Sequence, residues 1–128
     1  MNISFEQAKE ICWQTIERGG WSGKRAAIFY LKEYLNKKLD LIQSSFPEST
    51  FHSVAVKTNA HHKVLEYIVA RGFGLEAASL GEVLLAKNAG AENKDIVFDS
   101  PVKTVDEINK CHIEFPGITL NANSLQEL

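Results

Sequence analysis

An amine closes an apolar run. Residues Phe51-His52-Ser53-Val54-Ala55-Val56-Lys57 read as a strand, and Thr58-Asn59 follow with the polar side chains that open a helix. A lysine in that place stands at the carboxyl end of a strand, where parallel α/β sheets keep their chemistry. Once removed from water, such an amine loses its proton and becomes a nucleophile toward a carbonyl. The plainer alternative is a lysine that ends a strand with its head in solvent. Glu76 offers a carboxylate at the end of a second strand, and its plainer alternative is a solvated loop acid.

Other reactive side chains carry less. His61 and His62 are adjacent on a helix and diverge by about 100°, so they do not chelate one ion together, and surface or loop packing accounts for them. Lys103 follows a third strand and reads as a solvent-exposed loop lysine. Cys12 and Cys111 lie far apart without a Cys-x-x-Cys spacing, as small core residues of a reduced cytosolic protein do. Trp13, Trp21 and Phe73 read as core or interface aromatics, because no basic groove interleaves them for nucleic acid. No metal site is expected.

Composition agrees with a soluble, cytoplasmic domain. The chain has 128 residues, 45% hydrophobic and 23% charged, with a net charge of -2. That balance favours neither nucleic acid nor an anionic membrane as partner. The apolar runs are too short to span a bilayer, and Met1-Asn2-Ile3-Ser4-Phe5-Glu6 lacks a basic region followed by an apolar one.

The elements that must position Lys57 and Glu76 repeat. From Phe51 onward a short apolar strand, a polar cap, an amphipathic helix and a glycine or polar break recur. Phe51 to Lys57 leads through Asn59 into a helix with Val64, Leu65, Ile68 and Val69 on its apolar positions, closed by Gly72 and Gly74. Leu75 to Ala78, Asp95 to Phe98 and Ile118 to Ala122 are the later strands. Ser79-x-x-Glu82, Thr104-x-x-Glu107 and Ser124-x-x-Glu127 are capping boxes that start the helices after them. Upstream, Ser4-x-x-Gln7 caps a first helix that Gly19-Gly20 ends. Ala26 to Leu31 reads as a strand, and a helix with Leu35, Leu39, Ile42 and Phe46 on one face runs to Pro47. Gly19 to Lys24 is the one plausible seam.

Alternating βα units build a parallel sheet with right-handed crossovers. The expected fold class is therefore α/β, a partial (β/α)8 TIM barrel of about the first four βα units, preceded by an N-terminal helix and strand. Residues 1–25 are expected to be a helical extension and residues 26–128 the N-terminal half of a barrel domain. A closed barrel takes about 250 residues, and an open half would leave strand edges and an apolar face uncovered. The chain accordingly reads as a fragment of a longer enzyme, or a half that pairs with something.

With these residues laid out, the chain resembles the pyridoxal-phosphate decarboxylases of the ornithine, diaminopimelate and arginine group, which share the alanine-racemase-like barrel. Val54-Ala55-Val56-Lys57-Thr58-Asn59 is similar to the family's A-V-K-A-N motif. Glu76-Ala77-Ala78-Ser79-Leu80-Gly81-Glu82 resembles D-x-A-S-x-x-E. Ile96 to Thr104 resembles I-x-F-x-x-P-x-K-T, and Asn121 to Leu128 resembles N-V-E-S-x-x-E-L. The resemblance runs from Ala26 to Leu128 with the motifs in the family's order. There are two departures: Glu76 stands where the family has aspartate, moving the carboxylate outward by one methylene, and Asn123 stands where glutamate is frequent, removing a charge.

The resemblance implies pyridoxal 5'-phosphate as cofactor, with Lys57 as its Schiff-base residue and the catalytic lysine. Ala55 and Glu76 would line the cofactor site, the small Ala55 leaving room beneath the ring. It also implies decarboxylation of a small-molecule amino acid of the diaminopimelate, ornithine or arginine type by a cytoplasmic enzyme that is a homodimer at full length, the fragment alone being inactive. Two other readings remain: a non-catalytic decarboxylase-like binding or regulatory protein, motivated by Glu76 and Asn123, and a racemase on the same barrel.

Overall fold

The computed structural model describes residues 3–20, 23, 26 and 28–128. The chain divides into two compact units, Met1–Lys37 and Lys38–Leu128. In the first, helix α1 (Phe5–Glu17) opens with the expected box: Ser4 Oγ accepts from the Gln7 amide, and the Gln7 side chain accepts from the Ser4 amide. Gly19 adopts a φ of 72°, a left-handed conformation suited to ending that helix. Trp13 and Ile16 are exposed and Cys12 is half-buried, so Trp13 is not a core residue. Trp21 lies outside the described residues.

The strand expected at Ala26 to Leu31 does not form at the described positions. Residues 26 and 28–31 carry no strand, and Ile28 and Tyr30 are exposed. An apolar β-branched or aromatic run becomes a strand only where a neighbour takes up its backbone hydrogen bonds. Among the described residues no strand pairs with this run. Helix α2 (Lys32–Ser45) follows, and its single buried residue is Leu39. Asp40 pairs with Arg71, whose guanidinium is held more firmly protonated by that bond first and by Tyr67 second.

The second unit is built on a parallel sheet of four strands, β1 (Ser53–Ala55), β2 (Gly74–Ala77), β3 (Ile96–Phe98) and β4 (Thr119–Leu120), in sequential order. Helices α3 (His62–Ala70), α4 (Leu80–Asn88) and α5 (Val105–Glu114) make the crossovers. Strands β1, β3 and β4 are each shorter than the apolar run that predicts them, since the ladder ends where the loops turn away, while β2 keeps its length and starts one residue earlier, at Gly74.

The caps differ in kind. Thr104 and Glu107 form a complete box at α5. At α4, Ser79 Oγ caps the Glu82 amide, while the Glu82 carboxylate reaches one residue further back to the Ala78 amide. Asn59 does not cap α3; its Oδ1 accepts from the His61 amide in a turn ahead of it. The third box is absent. Ser124 makes no side-chain cap, and the Glu127 carboxylate accepts instead from the Asn123 amide and from Lys103.

Between the sheet and its helices lies a core of Ala77, Val83, Phe98, Cys111 and Phe115, with Leu80 and Ile118 packed against it. Phe73 is also buried, and burial, ahead of nearby carboxylates, pushes the Cys111 thiol pKa up. The two glycines after α3 do different things. Gly72, at φ 79°, ends the helix, whereas Gly74 begins β2 where a Cβ would overlap the Phe51 ring and the Asp95 carbonyl oxygen. Gly74→Ala is therefore expected to destabilise the fold by about 1–3 kcal/mol, as overpacking does. Denaturant unfolding checks it, with Gly81→Ala as the comparison, where the only near neighbour is the Ser79 hydroxyl.

Candidate active site

The register of the sheet assembles one row of side chains. Ala55 pairs with Glu76, Glu76 with Val97, and Val97 with Thr119. The alternating positions Leu75, Ala77, Ile96 and Phe98 are fully buried beneath the helices. Ala55, Glu76 and Val97 are half-buried and Thr119 is exposed. This row lies on the open face of the sheet, the interior side of a βα barrel. Ala55 and Glu76 are thus brought together as lateral neighbours. Glu76 makes no hydrogen bond or ion pair among the described residues.

Lys57 sits two residues beyond, at the carboxyl edge. The backbone leaves β1 after Ala55 and winds into a 3-10 turn, Val56–Thr58, held by Thr58 Oγ1 donating to the Ala55 carbonyl. Val56 fills the core and Lys57 is exposed. The lysine is therefore at the strand end but off the strand, and it is not buried by its own unit. The turn also interrupts the two-residue alternation that would put Lys57 and Ala55 on one face. Among the described residues the amine makes no hydrogen bond or ion pair.

Polar residues crowd the same edge at β3 and β4. Asn121 Nδ2 donates to Asp99 Oδ1 at 2.8 Å, and the Asp99 amide donates to the Ala77 carbonyl at 2.9 Å. Asn123 Nδ2 donates to the Ser100 carbonyl. Lys103, expected in solvent, is buried: its Nζ donates to the Ser100 carbonyl at 2.8 Å and pairs with Glu127 Oε2 at 2.7 Å. The ammonium stands 6.0 Å from the centre of the Phe98 ring. Sequence reasoning missed this pair, because Lys103 and Glu127 lie on different loops and nothing in their spacing joins them.

His61 and His62 are exposed, and His62 Nε2 lies 3.0 Å from Glu66 one turn along α3. Lys63 also bonds Glu66, and that bond is the first cause of the lowered Glu66 pKa. The described residues hold no group of three or more His, Cys, Asp or Glu side chains placed to bind a metal. No described helix is long and apolar enough to cross a membrane.

Comparison with known proteins finds the same architecture and a related sequence in longer chains. Residues 32–128 match the family described as "Pyridoxal-dependent decarboxylase, pyridoxal binding domain". The diaminopimelate decarboxylase of Bacteroides thetaiotaomicron is 34% identical over 102 residues, which cover 78% of this chain and 26% of that protein. That of Aquifex aeolicus is 27% identical over 99 residues, covering 77% of this chain and 23% of that protein. The chain spans about a quarter of the length of the curated relatives it matches. A crystal structure of diaminopimelate decarboxylase from Helicobacter pylori, complexed with L-lysine, superposes with a TM-score of 0.76 at 23% identity, covering 88% of this chain and 28% of that one. The four parallel strands and their helices thus match the N-terminal part of a TIM-barrel decarboxylase fold.

Proposed function

Because the chain belongs to the pyridoxal-binding domain family of the pyridoxal-dependent decarboxylases, we propose that it is the N-terminal part of an amino-acid decarboxylase whose cofactor is held by Lys57. The observation that carries this reading is an exposed amine, engaged by no other described group, at the carboxyl edge of β1. Covalent attachment requires such an amine. The neighbouring row fits as well: Ala55 is small, and the Glu76 carboxylate beside it is half-buried and unengaged among the described residues.

Lys57 would hold pyridoxal 5'-phosphate covalently through Nζ, and Ala55 and Glu76 would line the site. When bound, the cofactor supplies an electron sink for the pair left behind as carbon dioxide departs. The chain's own part is to present an unengaged amine at the strand edge, and to keep a carboxylate at the floor of the mouth that can accept a hydrogen bond. Residues 26–128 form the first half of the barrel domain in this reading, with 1–25 as an extension. The whole protein would act in the cytoplasm as a homodimer on an amino acid of the diaminopimelate, ornithine or arginine type. The diaminopimelate decarboxylase relatives support that substrate class.

The test is made on the whole protein supplied with the cofactor and these amino acids. Release of carbon dioxide is the expected result. A product that keeps its carboxylate but inverts its chirality would assign a racemase instead. Neither product from any of the three would favour the non-catalytic binding protein.

A further inference from the structure

We propose that Lys103 and Glu127 form a buried ionic latch that fixes the segment Asn121–Leu128 across the carboxyl end of β3 and so positions the Asp99–Asn121 pair on the rim. The Lys103 side chain is 1% exposed and that of Glu127 is 13% exposed, so the lysine depends on its partners for the hydration it has lost. Its Nζ has two: the Ser100 carbonyl at the end of β3 and the Glu127 carboxylate beyond β4. Glu127 accepts in addition from the Asn123 amide at 3.1 Å, and the Asn123 side chain returns to the Ser100 carbonyl. Ser100 Oγ bonds back to Val102, holding the loop that carries Lys103. Two loops from consecutive βα units are thereby tied at one buried charge. Asn121, which donates to Asp99 from its side chain and to the Phe98 carbonyl from its amide, lies at the start of the tied segment.

A buried pair of this kind stabilises little against an apolar replacement, yet losing one partner costs heavily. Its value lies in fixing position. Lys103 and Glu127 are positioning residues for the rim, a role that rests on the Lys57 reading only in taking that rim as the cofactor mouth.

The charges predict an asymmetry. Glu127→Gln strands the ammonium in an almost closed site, whereas Lys103→Met leaves a carboxylate that water reaches. The acid response has a definite sign. Hydrogen bonds from Lys103 first and from the Asn123 amide second hold the Glu127 carboxyl below its ordinary 4.5. A depressed carboxyl contributes stability that is present above the unfolded value and lost as pH falls through the folded one. The nearby acids are engaged elsewhere, Asp99 with Asn121 and Glu107 with Thr104, so Lys103 is the charged group set against Glu127 among the described residues.

Amide hydrogen exchange on the whole protein, kept free of cofactor, tests the latch. Glu127→Gln is expected to speed exchange at Asn121, Asn123 and Glu127 by roughly tenfold or more, Lys103→Met by less, and the double variant to recover toward wild type. Wild type should lose this protection only below pH 4.5, and Glu127→Gln should lack that acid step. Wild-type protection with an unchanged acid step in Glu127→Gln, or a larger effect from Lys103→Met, would overturn the latch. If Glu127→Gln does not fold, the wild-type pH series decides, and protection at these amides that is flat through the acid range overturns it. Because no cofactor is present, failure here leaves the Lys57 assignment standing.

Discussion

Lys57→Ala is expected to abolish covalent capture of pyridoxal 5'-phosphate and to lower turnover by the whole protein by at least about a thousandfold, the scale of losing a covalent catalytic group. No other described amine has the same combination of place and freedom. Lys103 stands on the same edge of the sheet, but its Nζ is buried between the Ser100 carbonyl and Glu127. Lys87, inside α4, donates to the Ala91 carbonyl on the helical side. Lys57→Arg should fail equally, since a guanidinium stays protonated and does not attack a carbonyl. The fold should survive either change. Lys57 is exposed and makes no described bond, so the unfolding free energy should move by no more than about 0.5 kcal/mol. Carbon dioxide release and denaturant unfolding on the same preparations separate lost chemistry from lost structure.

Phe98→Ala is expected to do the opposite, leaving the amine and removing the fold. Phe98 is among the largest fully buried side chains and lies in the cluster of Ala77, Val83, Cys111 and Phe115. Truncating a buried aromatic costs about 3–5 kcal/mol, against total stabilities of about 5–15 kcal/mol for natural domains. Its ring also lies beneath the Lys103 ammonium, so the β3 end of the rim would lose support as well. The Cys111 thiol reports the change directly. It is buried and its pKa is raised by that burial, so thiol reagents should label it slowly in wild type and rapidly in Phe98→Ala.

The strand-and-helix repeat was legible because apolar runs, caps and glycine breaks all agree at Thr104–Glu107, Ser79 and Gly90. It failed where an element depends on a distant partner. Ala26 to Leu31 has the composition of a strand, but composition does not supply a neighbouring ladder. Ser124-x-x-Glu127 has the spacing of a capping box, but its glutamate is drawn to Lys103, a stronger partner than an exposed amide. Gly74 resembles a helix terminator in sequence and proves to be a strand residue crowded by Phe51 and Asp95.

The site divides along the same line. Ala55 beside Glu76 follows from parallel pairing, and the register places them so. The position of Lys57 at a strand end was readable from the run that precedes it. Its lodging in a 3-10 turn was not, since that depends on Val56 turning into the core and on the Thr58 hydroxyl closing the turn. The burial of Lys103 was likewise hidden, being set by side chains from β3 and from beyond β4.

The most direct measurement of the central claim is the site of cofactor attachment. The whole protein, incubated with pyridoxal 5'-phosphate, reduced with borohydride and digested, should yield one modified peptide by mass spectrometry, carrying the phosphopyridoxyl group on Lys57. A modified peptide centred on Lys103 or any other lysine, with Lys57 unmodified, would contradict the account.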